Sequence, residues 1–326
     1  MGSASSPPIP PPTWNRADPG EDAMTTTVGH HIVVGVDGSD AALNATRWAA
    51  EEARERRVPL VLAHAYLPLF VTYPGVVTTP ESVDAIIQSQ RDDVAQYLHR
   101  ATEVATEVAP NVDIRPETRM EGPVPALIEL SRQARLIVLG SRGRGGFSSL
   151  LVGSAATGLA AHGHSPVAVI RGRTPTGPPP ETGPIVVGVD GSPTSERAIA
   201  FAFDEAAFRD ADLLAVHTWV DAAFESDFEL TRNMVDWQAV EATEERVLAE
   251  RLAGWQERYP DVRVRRIVVR DRPAPGLLSQ AERARMIIVG SRGRGGFTGM
   301  LLGSTSRTLL HHASCPVIIA RPEDQS

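Results

Sequence analysis

The sequence predicts an α/β protein of two tandem domains, each with five strands in a mostly parallel sheet and helices on both faces. Two observations predict this fold class: an internal repeat over most of the chain, and alternating strand-like and helix-like segments inside each repeat. The segment IVVGVDGS begins at Ile32 and returns at Ile185, and VLGSRGRGGF at Val138 returns as IVGSRGRGGF at Ile288. Because separated segments recur in the same order, we interpret the chain as a duplicated and fused domain.

The repeat also predicts the domain boundaries. We expect domain 1 at residues 29–171 and domain 2 at 184–321, joined by a linker at 172–183 whose prolines and glycines disfavour regular structure. Residues 1–28 contain SSPPIPPP but lack the charged start and apolar core of a secretory signal, so they predict a disordered leader. Residues 322–326 form a short tail.

In the first half, local patterns of apolar residues and turn residues predict each secondary-structure element in turn. In order, these are strand 32–36, helix 40–56, strand 60–66, a long helix ending near 108, strand 112–118, helix 125–133, strand 136–139, helix 154–161 and strand 166–170. The second half repeats this order from Ile185 to Ala320. Strands 136–139 and 286–289 are continuously apolar, which is typical of central strands covered on both faces.

Two helices carry patterns that we interpret as core. A stripe of small residues at helical spacing in the first helix predicts close packing on the sheet; it consists of Thr46, Ala49, Ala50 and Ala53. In the long helix of the second half, Leu248, Leu252 and Trp255 share one face, and core packing is favoured over a ligand-stacking role.

The composition excludes several classes of function. The net charge of −8 argues against a nucleic-acid partner, and no apolar run is long enough for a membrane helix. The single cysteine, Cys315, excludes a disulfide framework and a cysteine-based zinc site, and it favours a reducing compartment, which we take to be the cytoplasm. All 32 basic residues are arginine, so mechanisms that need a lysine are excluded.

A glycine-rich loop after the fourth strand of each half carries the main functional signal. Its pattern is glycine, two residues, glycine, nine residues, then glycine and serine. The members are Gly140, Gly143, Gly153 and Ser154 in the first half, and Gly290, Gly293, Gly303 and Ser304 in the second. Glycine lets an anion approach the main chain closely, and the glycine–serine pair stands where a helix N-terminus begins. We therefore predict a phosphate site in each half, although one such loop alone would indicate only a strand-to-helix turn.

Two other residue types accompany the loops. The loop arginines are interpreted equally well as ligand contacts or as solvated side chains; they are Arg142, Arg144, Arg292 and Arg294. Asp37 and Asp190 each follow a first strand in the sequence VDGS, at the sheet edge where ligands bind in open α/β folds. The alternative for both aspartates is a turn or helix-capping role.

The chain resembles the universal stress protein family, specifically its tandem-domain actinobacterial members. The resemblance is carried by VGVDGS, the glycine spacing and the closing strands SPVAVI and CPVIIA, which follow in the family's order. The resemblance implies strand order 3-2-1-4-5 in each domain, so that strands 1 and 4 flank a switch point where a ligand binds. It also implies that the final strands, 166–171 and 316–320, pair edge to edge between domains, and that the protein forms homodimers.

Members of that family with this glycine pattern bind ATP, so the resemblance implies ATP, with Mg²⁺, at each site. By the same resemblance the nucleoside would lie near Asp37 and Gly38 in the first half and near Asp190 and Gly191 in the second. The backbone at Ala65 and Thr218 would contact adenine, and the loop glycines with Ser154 and Ser304 would hold the phosphates. Gly122 resembles a family glycine near the sugar, but the matching residue of the second half is Arg272.

Other candidate residues are given structural interpretations. The histidine pairs at 30–31 and 311–312 lack the further ligands of a metal site, and His64 and His217 end buried strands. Glu51-Glu52 and Glu244-Glu245 are interpreted as solvated helix faces.

No catalytic signature is recognisable, so we predict a protein that is not an enzyme. The resemblance implies a nucleotide-dependent regulator of stress response or growth, with an unidentified protein partner. The alternatives are a protein-interaction module with little nucleotide dependence, and a slow ATP hydrolase.

Overall fold

The computed structural model describes residues 31–68, 80–143, 152–174, 177–219, 237–294 and 301–321. The predicted leader and tail and the loop residue Arg144 lie outside the described residues. No helix within these ranges is both long and apolar enough to cross a bilayer.

Strands and helices alternate through both halves, as the sequence predicts. Domain 1 contains β1 (His31–Gly35), α1 (Asp40–Arg56), β2 (Leu60–Ala65), α2 (Pro80–Val108), β3 (Ile114–Arg119), α3 (Pro123–Ser131), β4 (Ala134–Gly140), α4 (Ser154–His162) and β5 (Val167–Ile170). Domain 2 contains β6 (Ile185–Val189), α5 (Pro193–Phe208), β7 (Leu213–Thr218), α6 (Trp237–Arg258), β8 (Val264–Val269), α7 (Pro273–Ala281), β9 (Met286–Gly290), α8 (Ser304–His312) and β10 (Val317–Ala320).

Local signals explain where several helices begin and end. Ser39 caps α1, because its hydroxyl accepts a hydrogen bond from the Ala42 N–H at 3.1 Å. Arg57 closes the same helix in the left-handed conformation, with φ of 55°. Helices α3 and α7 each have a proline in the first turn, where no intrahelical hydrogen bond is lost.

The strands form one continuous sheet in the order β3-β2-β1-β4-β5-β10-β9-β6-β7-β8. The order within each domain is therefore 3-2-1-4-5, as expected, and those pairings are parallel. β5 and β10 pair antiparallel, with Val169 opposite Val317 and Val167 opposite Ile319, which confirms the expected edge-to-edge pairing. The sequence predicts one five-stranded sheet in each domain. In the structure the β5–β10 pair merges these two sheets into one sheet of ten strands.

Hydrophobic layers cover both faces of this sheet and extend across the domain boundary. One layer joins α1 and α2 to α5 and α6, and the other joins α3 and α4 to α7 and α8. The small-residue stripe of α1 is fully buried, which confirms its interpretation as core. Leu248 and Leu252 are also buried, and Trp255 packs against the same layer. Both hydrophobic layers are thus shared by the two domains.

Buried ion pairs join α1 to α5 across the domain boundary. Arg56 contacts Glu205, Asp204 (3.0 Å) and Glu52 (3.0 Å), while Arg209 contacts Glu52 and Glu205 (2.9 Å). Burial disfavours the charged form of Arg56, but the carboxylates of Glu205 and Asp204 outweigh it and raise its pKa. The interpretation of Glu52 as part of a solvated face is therefore wrong: its side chain is 3% exposed and contacts both Arg56 and Arg209.

Candidate functional site

A cavity of about 800 Å³ lies in domain 1 at the carboxyl ends of the central strands. Most predicted site residues of this domain line it, namely Asp37, Ala65, Gly140, Arg142, Gly143, Gly153 and Ser154. Gly38 and Gly122 are not among the lining residues, although Pro123 is. The cavity lies at the switch point between β1 and β4, where the strand order places a ligand.

The loop from β4 to α4 brings the start of the helix back to the end of the strand. The Gly153 N–H donates to the Ser141 carbonyl at 3.1 Å, and in domain 2 the Gly303 N–H donates to the Ser291 carbonyl at 2.8 Å. Gly153 and Gly303 are the N-caps of α4 and α8, and neither helix has a side-chain cap. Helix α1, by contrast, is capped by its own Ser39. The first-turn residues of α4 line the cavity, so a ligand anion could cap this helix.

The glycines of this loop serve two different purposes. A Cβ on Gly140 would lie 2.6 Å from the backbone carbon of Ala41, and one on Gly290 would lie 2.8 Å from that of Thr194. These two glycines are therefore required by the close packing of strand against helix. At Gly153 a Cβ would meet no atom within 4 Å, and φ is −65°. No described residue within 4 Å of this position demands glycine there, and Gly153 lines the cavity.

The aspartates hold the loops in shape. The Asp37 carboxylate accepts hydrogen bonds from the Ser39 N–H (3.0 Å) and hydroxyl (2.6 Å), and a Cβ on Gly143 would lie 2.5 Å from its Oδ2. The turn role, left open by the sequence, is thus present in the structure. Because Asp37 also lines the cavity, both roles fit the same carboxylate.

Domain 2 assembles its predicted residues in the same way. The Asp190 carboxylate accepts from the Ser192 N–H (2.9 Å) and from the Arg294 N–H (3.0 Å). A Cβ on Gly293 would lie 2.6 Å from Asp190 Oδ2 and one on Gly303 would lie 3.5 Å from Arg292 Cα, so both glycines and Arg292 are brought together. Ser304 begins α8.

The strand ends behind the loops differ between the domains. His64 Nδ1–H donates to the Val36 carbonyl at 2.6 Å, and His217 Nδ1–H donates in the same way to the Val189 carbonyl. Both histidines are buried, as interpreted from the sequence. His217 Nε2 also lies 3.1 Å from Glu244 Oε2, so Glu244 is not merely a solvated residue.

Three other predicted site residues, Gly38, Gly191 and Thr218, lie at a turn or a strand end. Gly38 and Gly191 have φ of 81° and 73°, so each serves as a left-handed turn residue after its aspartate. Thr218 ends β7 and its methyl group faces Gly276.

The apolar wall of the cavity was not identified from the sequence. It comes from α3 and the strand and loop next to it, and comprises Val124, Ala126, Leu127, Leu130, Leu139 and Val152. Arg119, at the end of β3, also lines the cavity. The apolar face of α3 is visible in the sequence, but it predicts packing in the core as well as it predicts a cavity wall. Only the fold decides which side of this helix faces the cavity.

The comparisons with known proteins agree with the architecture. Residues 29–171 and 181–321 each match the Universal stress protein family. A universal stress protein of Mycobacterium tuberculosis H37Rv is 42% identical over 294 residues, which covers 89% of this chain and 96% of that relative. Another from the same strain is 41% identical over 320 residues, covering 93% and 98%. A solved universal stress protein from Archaeoglobus fulgidus shares the fold with a TM-score of 0.59 at 18% identity, covering 91% of this chain and 97% of that one.

Proposed function

Because the chain belongs to the universal stress protein family, we propose that it is an ATP-binding regulator in which nucleotide occupancy at the two glycine loops sets its affinity for a protein partner. The observation that carries the proposal is the N-terminus of α4. It has no side-chain cap, its N-cap Gly153 has open space around it, and it borders a cavity of about 800 Å³. That volume suits a nucleotide.

The two ends of the cavity suit the two ends of ATP. The apolar side chains of Val124, Leu127 and Leu130 provide a wall for the base and ribose. The phosphates would lie against the Gly153–Ser154 backbone and Arg142. Described residues hold no group of three or more His, Cys, Asp or Glu side chains that could form a metal site, so Mg²⁺ would bind mainly through phosphate oxygens and water.

The test uses two substitutions at the N-caps that differ only in charge. Asp and Asn are both good N-caps, so Gly153→Asp with Gly303→Asp should fold as well as the matched Asn pair. The Asp pair places a carboxylate where a phosphate would lie, and we expect ATP affinity, measured by calorimetry with Mg²⁺, to fall by more than about a hundredfold. Equal binding by the Asp and Asn pairs, or no binding by the unaltered chain, would refute the proposal.

We propose binding without appreciable turnover. His64 Nδ1 is engaged by a backbone carbonyl, and the Asp37 carboxylate accepts two hydrogen bonds from Ser39, so neither is positioned as a general base. Any ATP hydrolysis rate measured at saturating ATP, where weaker nucleotide binding has no effect, should then be unchanged by Asp37→Asn. A rate that falls at least about tenfold in that variant would instead favour a slow hydrolase.

We also propose that two chains associate in the cytoplasm as a homodimer. The β5 and β10 edges already pair within the chain, which leaves β3 and β8 as the outer strands of the sheet. Light scattering coupled to size exclusion should give twice the chain mass of 35.0 kDa. A mass of one chain at all concentrations would contradict the dimer without affecting the nucleotide sites.

A further inference from the structure

Two arginines that directly follow β5 and β10 reach into the opposite domain. Arg321, after the last strand of domain 2, donates to three carbonyls at the end of α4 in domain 1: Ala160 (3.0 Å), Ala161 (2.8 Å) and Gly163 (2.7 Å). Its counterpart Arg171, after the last strand of domain 1, donates to a carbonyl of α8 in domain 2, that of Leu310, at 2.7 Å. The two contacts are reciprocal.

The antiparallel pairing explains how each arginine reaches its target. Because β10 runs opposite to β5, the end of β10 lies beside the start of β5, where Ile319 faces Val167. Helix α4 ends at His162, a few residues before β5, so its last carbonyls lie next to Arg321. These carbonyls have no partner within a helix, and a cation there also interacts favourably with the helix dipole.

The other end of α4 is the N-terminus that borders the cavity. Helix α4 has nine residues and is therefore roughly 13 Å long, so Arg321 is too far away to touch a ligand. It fixes the end of a short helix whose opposite end has no side-chain cap. We propose that Arg321 and Arg171 are positioning residues, an inference that rests on the proposed nucleotide site. Each arginine fixes the position of the helix that would bind phosphate in the other domain.

The experiment measures one site at a time in the full chain. With Gly303→Asp disabling domain 2, ATP affinity at domain 1 is measured by calorimetry for the parent and for Arg321→Ala, Arg321→Lys and Arg171→Ala. We expect Arg321→Ala to weaken binding at least about fivefold and Arg321→Lys to restore part of the loss, whereas Arg171→Ala, which acts at this site only by removing a charge close to Arg142, should change affinity by a smaller factor. In the Gly153→Asp background the roles exchange, and Arg171→Ala is the variant that weakens binding.

Two controls separate helix positioning from loosening of the domain interface. Asp204 pairs across the same boundary with Arg56 (3.0 Å) and Arg135 (3.7 Å) on the other face of the sheet, so Asp204→Ala weakens the interface without touching α4. Cys315 is fully buried just before β10, and burial raises the pKa of its thiol to about 12. Its reaction with a thiol reagent therefore reports opening of this region.

The outcomes are distinct. If Arg321→Ala binds ATP as well as its parent, the positioning role is wrong while the proposed function stands. If Asp204→Ala weakens binding as much as Arg321→Ala, or if Arg321→Ala exposes Cys315, the effect is general loosening and the positioning role is also wrong. If the Gly303→Asp parent and the unaltered chain both fail to bind ATP, the proposed function falls, and this inference falls with it.

Discussion

The two domains are nearly alike where the glycine loops and the sheet are concerned, and they differ around the histidine that ends the second strand of each domain and the glycine after each aspartate. Gly140 and Gly290 both pack on a helix N-terminus, and Gly153 and Gly303 both cap a helix without a side-chain partner. The duplicated fold therefore retains the part that would hold phosphate in both halves.

The surroundings of the two histidines show the difference. In domain 1 the His64 ring lies 5.7 Å from the Tyr97 ring, and the Tyr97 ring also covers Gly38. In domain 2 His217 pairs with Glu244, and Arg294 and Arg251 lie against Gly191 instead of a tyrosine. The duplicated glycine loops thus have different surroundings in the two domains. Substitutions at equivalent positions of the two halves test where the equivalence ends.

The largest effect is expected at the buried ion pairs, where the halves contribute equally. Glu52→Ala and Glu205→Ala each remove one of the two carboxylates that Arg56 and Arg209 share, and each should lower the free energy of unfolding by about 3–5 kcal/mol. Urea unfolding measures this, with Glu55→Ala, a half-exposed glutamate of the same helix, as the control. A loss confined to one of the two glutamates would break the equivalence of the domains.

The next effect separates the two kinds of loop glycine. Gly140→Asn places a side chain against the α1 backbone and should destabilise the chain by about 1–3 kcal/mol or more, whereas Gly153→Asn meets open space and introduces a good N-cap. Gly290→Asn and Gly303→Asn should repeat the contrast in domain 2. Thermal or urea unfolding that ranks Gly153→Asn as the more damaging change would contradict the packing role of Gly140.

A smaller effect is expected from exchanging the residues that begin α3 and α7. Gly122 and Arg272 are equivalent N-caps with φ of −61° and −64°, so Gly122→Arg should fold without strain. If Gly122 faces the ribose, the added side chain should weaken ATP binding at domain 1 by about fivefold, which corresponds to ~1 kcal/mol. Calorimetry in the Gly303→Asp background measures this. Unchanged affinity would show that the sugar lies elsewhere.

The smallest effect is expected at the His217–Glu244 pair, which has no counterpart at His64 among the described residues of domain 1. Glu244→Ala removes the side chain that contacts His217 Nε2, so the loss of unfolding free energy should be about 0.5–1.5 kcal/mol. Urea unfolding measures it, and Glu245→Ala, at an exposed neighbour, is the control. A loss equal to that of Glu205→Ala would place this pair in the shared core of the protein.

Much of the fold and part of the site could be predicted because the signals are local. The alternation of apolar segments, the Ser39 cap and the repeated glycine spacing depend on residues close in sequence, and the predicted α1 bounds, 40–56, are those observed. The residues after the strands were likewise predictable, because parallel strands present their carboxyl ends at one edge.

The remaining features depend on contacts between residues far apart in the chain. From the sequence, Glu52 is interpreted as one half of an exposed acidic pair, and only the fold places Arg209 against it. Gly140 and Gly153 are both loop glycines in the sequence, but Gly140 packs against α1 and Gly153 faces the cavity. Arg171 and Arg321 gain their carbonyl partners only because β5 and β10 pair antiparallel. The sequence by itself determined the repeated α/β fold and its glycine loops, since propensity and periodicity act locally. Only the tertiary structure decided which glycine is required for packing, which helix end is open and which charge is buried, since these depend on residues distant in sequence that the fold places beside them.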